Sequence, residues 1–167
     1  GQLAMLYFDD DDVTKARAWA DKALALRRKT PEAYFTAAFI ALGDEDEKRA
    51  QELLGHALEL NPKSGRAWAG KGLALMFGGE FAAAEVALER AVEHMPQHIG
   101  TWHALGWCQM MRGELDAAEA SFQKAYELDR AFNETHGALA VIEILRGKGN
   151  RAQRRADTAL RLDPNSL

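Results

Sequence analysis

The sequence predicts an all-α fold, a solenoid of antiparallel helix pairs, and three observations carry that prediction. Alanine recurs every 34 residues in two registers without an insertion: at Ala16, Ala50, Ala84, Ala118 and Ala152, and at Ala23, Ala57, Ala91, Ala125 and Ala159. A gapless period of this length marks a two-helix unit that buries its apolar faces by stacking on its neighbours. Within each period apolar residues recur three and four apart in both halves, so each half reads as an amphipathic helix. Glycine marks the turn between the halves at Gly79, Gly113 and Gly147, and proline closes periods at Pro62, Pro96 and Pro164.

Taken in order, the first copy is truncated, about 1–30, and turns through Asp9-Asp10-Asp11-Asp12, whose carboxylates favour the N-terminus of the next helix. The second copy, 31–64, opens on Thr30-Pro31, an N-cap oxygen followed by proline at the first helical position. Its segment Gly43-Asp44-Glu45-Asp46-Glu47 predicts an early turn, with no counterpart of Phe81 or Leu115 behind it. Copies 65–98 and 99–132 carry Trp68 and Trp102 in a large-residue column shared with Tyr34 and His136. Each Trp ring can bury on the order of 200 Å² between helices, and His136 is expected as a packed substitute. Four positions on stand Ala38, Gly72, Gly106 and Ala140, of which Gly72 and Gly106 let paired helices approach closely, and Leu54, Leu88, Phe122 and Ala156 occupy a later core column. The last copy, 133–166, follows Arg130 in place of proline and has Gly149 where Phe81 and Leu115 stand elsewhere, so its second helix is expected to pack more loosely. The chain therefore reads as one repeat domain, 1–167. Both ends fall inside the repeat without a polar capping element, as expected of a segment from a longer chain.

Bulk properties narrow the function. The net charge of -4 argues against nucleic acid or an anionic membrane as the main target. The longest apolar stretch, Ala33 to Leu42, is about half a membrane span. No signal peptide is visible, which leaves cytoplasmic as a default localisation rather than a reading. One cysteine, Cys108, excludes an internal disulfide.

Across essentially its whole length the chain resembles the tetratricopeptide repeat family. The motifs that carry the resemblance are AW..KG..L...GEF..A...LERA....P in one copy and TW..LG..Q...GEL..A...FQKA in the next. The resemblance implies a right-handed superhelix whose first helices line a concave, partner-binding face. Carried onto this sequence, that face comprises Glu32, Phe35, Phe39 and Leu42, then Arg66, Ala69, Leu73, Met76 and Phe77. It continues through His103, Trp107, Met110 and Met111 to Val141, Ile144 and Leu145. The stripe is apolar and rich in methionine and aromatic residues, which suits a groove for a helical or extended apolar peptide. The candidate groove residues are Phe35, Phe39, Arg66, Leu73, Met76, Phe77, His103, Trp107, Met110, Met111 and Ile144, with Trp107 as the leading anchor. The competing reading is that such residues at helical spacing belong to the core.

Members that clamp acidic chaperone tails place Lys and Asn on these first helices. Here Phe35, Phe39, Ala69, Leu73, His103 and Trp107 stand instead, and a carboxylate would be left without donors. The stretch GWCQMMRGELDAAEASF is closer in character to small repeat chaperones of bacterial secretion systems. No phosphate loop, nucleophile elbow or paired-histidine zinc helix is present, so neither an enzyme nor a cofactor is expected. His94 and His98 straddle Pro96 and do not share a helix face, which argues against a metal site with His103 and Cys108.

Charge is uneven, with Asp9 to Asp12 near one end and Arg146, Lys148, Arg151, Arg154, Arg155 and Arg161 near the other. A solvated surface is the simple reading, and end-to-end contact is the alternative. The expected function is a protein-interaction scaffold with a protein or peptide partner. The alternatives are the recognition arm of a larger enzyme or secretion complex, and a solenoid self-associating through uncapped ends.

Overall fold

The computed structural model describes residues 13–25 and 30–163, so the Asp9–Asp12 turn and Pro164 lie outside the described residues. Within them every regular element is an α-helix. In chain order these are α1 Val13–Ala25, α2 Pro31–Gly43, α3 Glu47–Leu60, α4 Gly65–Phe77, α5 Phe81–His94, α6 Ile99–Met111, α7 Leu115–Leu128, α8 Asn133–Leu145 and α9 Gly149–Leu162. From α2 onward the first helix of each pair has 13 residues and the second has 14. The period is thus kept residue for residue. The helices group into two compact units, Gly1–Pro96 and Gln97–Leu167.

That regularity corrects one expectation. The second copy does not turn early: α2 and α3 begin and end in the same columns as α4 and α5. Where the three later copies carry Gly79, Gly113 and Gly147 with φ of 76°, 79° and 71°, this copy carries Glu45 with φ of 60°. A left-handed residue is required there by the turn, and glutamate supplies it against its own preference.

Helix starts are specified locally. Thr30 accepts from the Ala33 amide at 3.3 Å, Ser64 from Ala67 at 3.2 Å, and His98, through Nδ1, from Thr101 at 3.2 Å. These three residues occupy one column, and each satisfies an otherwise orphaned amide of the first turn. The fourth member, Phe132, makes no such bond. Asp46 caps α3 through the Arg49 amide at 3.0 Å.

The core of the first unit gathers Tyr34, Ala38, Ala41, Leu53, Leu54, Ala57 and Leu58 against Ala67 and Ala74. Helix α1 joins it through Ala16 and Ala20 against Ile40. The second unit packs Ala118 and Phe122 against Ala138, Leu139 and Ile142. Small residues are needed where expected. A Cβ on Gly72 would lie 2.5 Å from Leu88 Cγ, and one on Gly106 would lie 2.7 Å from the Phe122 ring. Leu88 and Phe122 are fully buried, so neither has free space to retreat into. In α9 only Ala152 is buried.

The large-residue column has a shared polar function as well. Trp68 donates Nε1–H to the Pro62 carbonyl at 2.8 Å, and His136 Nε2 meets the Arg130 carbonyl at 2.8 Å. A carbonyl only accepts, so His136 carries its proton on Nε2 and reproduces the bond Trp68 makes six residues upstream.

Candidate functional site

In the first unit the proposed face starts on α2, where the Phe35 and Phe39 rings lie 4.5 Å apart at 36°. The Arg66 guanidinium of α4 sits 4.7 Å over Phe35, close enough for a cation–π contact. Phe39 packs over Gly70, where a Cβ would lie 3.0 Å from its ring. Phe35, Phe39, Leu73 and Met76 are half-buried, as are Glu32, Leu42 and Ala69, while Arg66 is exposed. Phe77 is 69% exposed.

In the second unit the expected residues separate. His103 is buried, 8% exposed, with Nε2 2.7 Å from Thr135 Oγ1. Its ring lies edge-on to Phe122 and Phe132, each at 5.3 Å. Burial holds its pKa below the ordinary imidazole value, with the Glu134 charge opposing. His103 thus ties α6 to α8 from inside and does not lie on the open face. Met110 likewise packs half-buried against the Phe122 cluster. What remains open on α6 and α8 is Trp107 at 38%, Met111 at 62%, Ile144 at 62%, Leu145 at 58% and Val141 at 36%. Trp107 is also anchored, its ring 5.5 Å from Phe122 at 74°. Spacings of three and four place each helix's members on one face.

Cys108 is fully buried, and burial pushes its thiol above the ordinary thiol range. Among the described residues no group of three or more His, Cys, Asp or Glu is placed to hold a metal ion. No helix of the described residues is long and apolar enough to cross a membrane.

Charged pairs brace the copies. Arg17 of α1 grips Asp44 with two bonds, at 2.8 and 2.9 Å, which lowers the Asp44 pKa. Arg146 does the reverse in the second unit, reaching from the end of α8 to Asp116 and Glu119 of α7. Arg17 and Glu119 share one column, Asp44 and Arg146 another, so the brace joins the same two positions with its polarity exchanged. Sequence reading missed this because the partners lie 27 to 30 residues apart.

A tetratricopeptide repeat family model matches residues 41–108 and 78–123. Among solved structures, the chain is similar to MamA from Desulfovibrio magneticus RS-1, with TM-score 0.83, 18% identity, and 99% and 93% of the two chains covered. It is also similar to TTC0263, a thermophilic repeat protein of Thermus thermophilus, with TM-score 0.80, 21% identity, and 99% and 91% covered. A third is YrrB, described as having an unusual peptide-binding site, with TM-score 0.77, 24% identity, and 98% and 84% covered. No curated protein sequence matches significantly. The chain belongs to the tetratricopeptide repeat family. Its fold is that of a protein-interaction scaffold.

Proposed function

We propose that this protein is a non-catalytic scaffold whose second unit binds an apolar peptide segment on the first-helix face of α6 and α8. The observation that carries the reading is the exposure of Trp107, Met111, Ile144 and Leu145 together, beside inward neighbours that hold them in place. Trp107 offers a large rigid surface already fixed against Phe122, so little side-chain entropy is lost on binding. Met111 is unbranched and flexible, so its tip fits varied partners. Phe35 and Phe39, under Arg66, provide a smaller aromatic shelf in the first unit for the same class of ligand.

The test uses peptides selected from a displayed random library on the intact chain. The selected peptides should be amphipathic or apolar, and Trp107→Ala with Met111→Ala should weaken them by about tenfold or more in a protein that still folds, with a lower melt because Trp107 packs on Phe122. Met111 is the partner substitution because Met110 packs half-buried against the core. Unchanged affinity in the folded double variant would remove this face from the function.

A further inference from the structure

Glu143 of α8 is a buried carboxylate in a column that carries no charge in the earlier copies. The corresponding pairs between first and second helices are Ala41 with Leu53, Leu75 with Ala87, and Gln109 with Ser121, the last joined by a Ser121 Oγ bond to Gln109 Oε1 at 2.7 Å. In the final copy the pair becomes Glu143 with Arg155. Arg155 Nε lies 3.1 Å from Glu143 Oε1, and Arg151 Nε approaches the same oxygen at 3.4 Å. The other oxygen, Oε2, is buried and has no hydrogen-bond partner. Glu143 lines a cleft of about 340 Å³ between α8 and α9, together with His136, Arg151, Arg154, Arg155 and Thr158.

Two unmet demands coincide there. Three guanidinium groups face one carboxylate, which leaves a surplus of two positive charges, and Arg154 forms no side-chain ion pair among the described residues. A buried carboxylate oxygen without a donor is costly and calls for an N–H or O–H. A fully ionised phosphate would neutralise the arginines, yet it would bring no hydrogen to Oε2 and would set its own charge against Glu143. An extended acidic peptide meets both demands, with its backbone N–H donating to Oε2 and its Asp or Glu side chains pairing with Arg154 and Arg151.

We infer that the cleft between α8 and α9 binds an acidic extended segment of a partner protein, through Arg151, Arg154 and Arg155 and the free oxygen of Glu143. The site shares no residue with the apolar face of α6 and α8, so either can fail without the other.

The experiment is titration of the intact chain with an acetylated, amidated peptide containing consecutive aspartates, against Arg154→Gln and Glu143→Gln. Glutamine already fills this column at Gln109, and Arg154 is exposed, so both variants should fold as the parent does. Arg154→Gln should weaken binding by roughly three- to tenfold. Glu143→Gln decides the matter by sign. If Oε2 accepts a peptide N–H, this variant weakens the peptide by about tenfold although it removes a repelling negative charge. A peptide methylated on its aspartate nitrogens should lose a similar factor. Tighter binding by Glu143→Gln, or equal competition by inorganic phosphate, would overturn the proposal and leave a nonspecific cationic patch. Sedimentation should show a monomer; a salt-sensitive dimer lost in Arg154→Glu would overturn the heterologous partner in favour of a second copy.

Discussion

Glu45 sits with φ of 60° at a turn where the three later copies carry glycine. A side chain in this region costs roughly 1–2 kcal/mol, part of which glycine would return through its greater freedom in the unfolded chain. Glu45→Gly should therefore stabilise the protein by about 0.5–1 kcal/mol, read as a shift in the urea midpoint with the slope unchanged. Destabilisation would mean that the Glu45 side chain contributes more than its backbone costs. His103 offers a second test at this scale. Its folded pKa is lowered by burial, so the unfolded chain takes up its proton first as pH falls below the ordinary value of 6.5. The stability it contributes is present above pH 6.5 and is lost as pH falls through the folded value. His103→Gln can keep the bond to Thr135 and cannot titrate, so melts between about pH 7.5 and 5 should show a smaller loss in the variant than in the parent. Equal losses would assign the acid sensitivity to other groups.

In two copies the paired helices meet through glycine against a large residue, Gly72 on Leu88 and Gly106 on Phe122. Gly106→Ala places its methyl carbon 2.7 Å from the Phe122 ring, and an overpacked core contact of this kind costs about 1–3 kcal/mol. Shortening the ring should recover much of it, because Ala38 and Leu54 occupy the equivalent positions of the second copy. The prediction is that Gly106→Ala with Phe122→Leu melts closer to the parent than the sum of the two single effects. Additive losses would mean that the two side chains do not compete for the same space. Such frame positions were legible in the sequence because their identity or size repeats from copy to copy. The turn of the second copy was less so: Gly43 and the acidic run imitated an early break, whereas helix length was held by the buried columns of α2 and α3. His103 was misplaced for a related reason. Helical spacing puts it near Trp107, but its ring is drawn inward by Phe122, Phe132 and Thr135, which lie far along the chain.

At the scale of the molecule, the copies from Pro31 onward share helix lengths and turns, and the proposed binding surfaces lie in the columns that change. The open apolar residues of the second unit belong to first helices, while the last copy exchanges an uncharged buried pair for Glu143 and Arg155. The first of these changes could be read from hydrophobic spacing, since exposure follows the known face of each helix. The second could not, because a carboxylate among arginines looks like solvated surface until its neighbours are placed. The terminal charge cluster also divides on the structure. Arg146 is taken by Asp116 and Glu119, and Arg151 and Arg155 by Glu143, so it is not a uniform basic end.

Partner segments are proposed to settle on Trp107, Met111 and Ile144. The chain has five methionines, which makes a methyl-labelled methionine NMR spectrum of the intact protein simple to read. Titration with a library-selected apolar peptide should shift the exposed Met111 resonance strongly and saturably. A saturable complex that leaves Met111 in place would contradict the account.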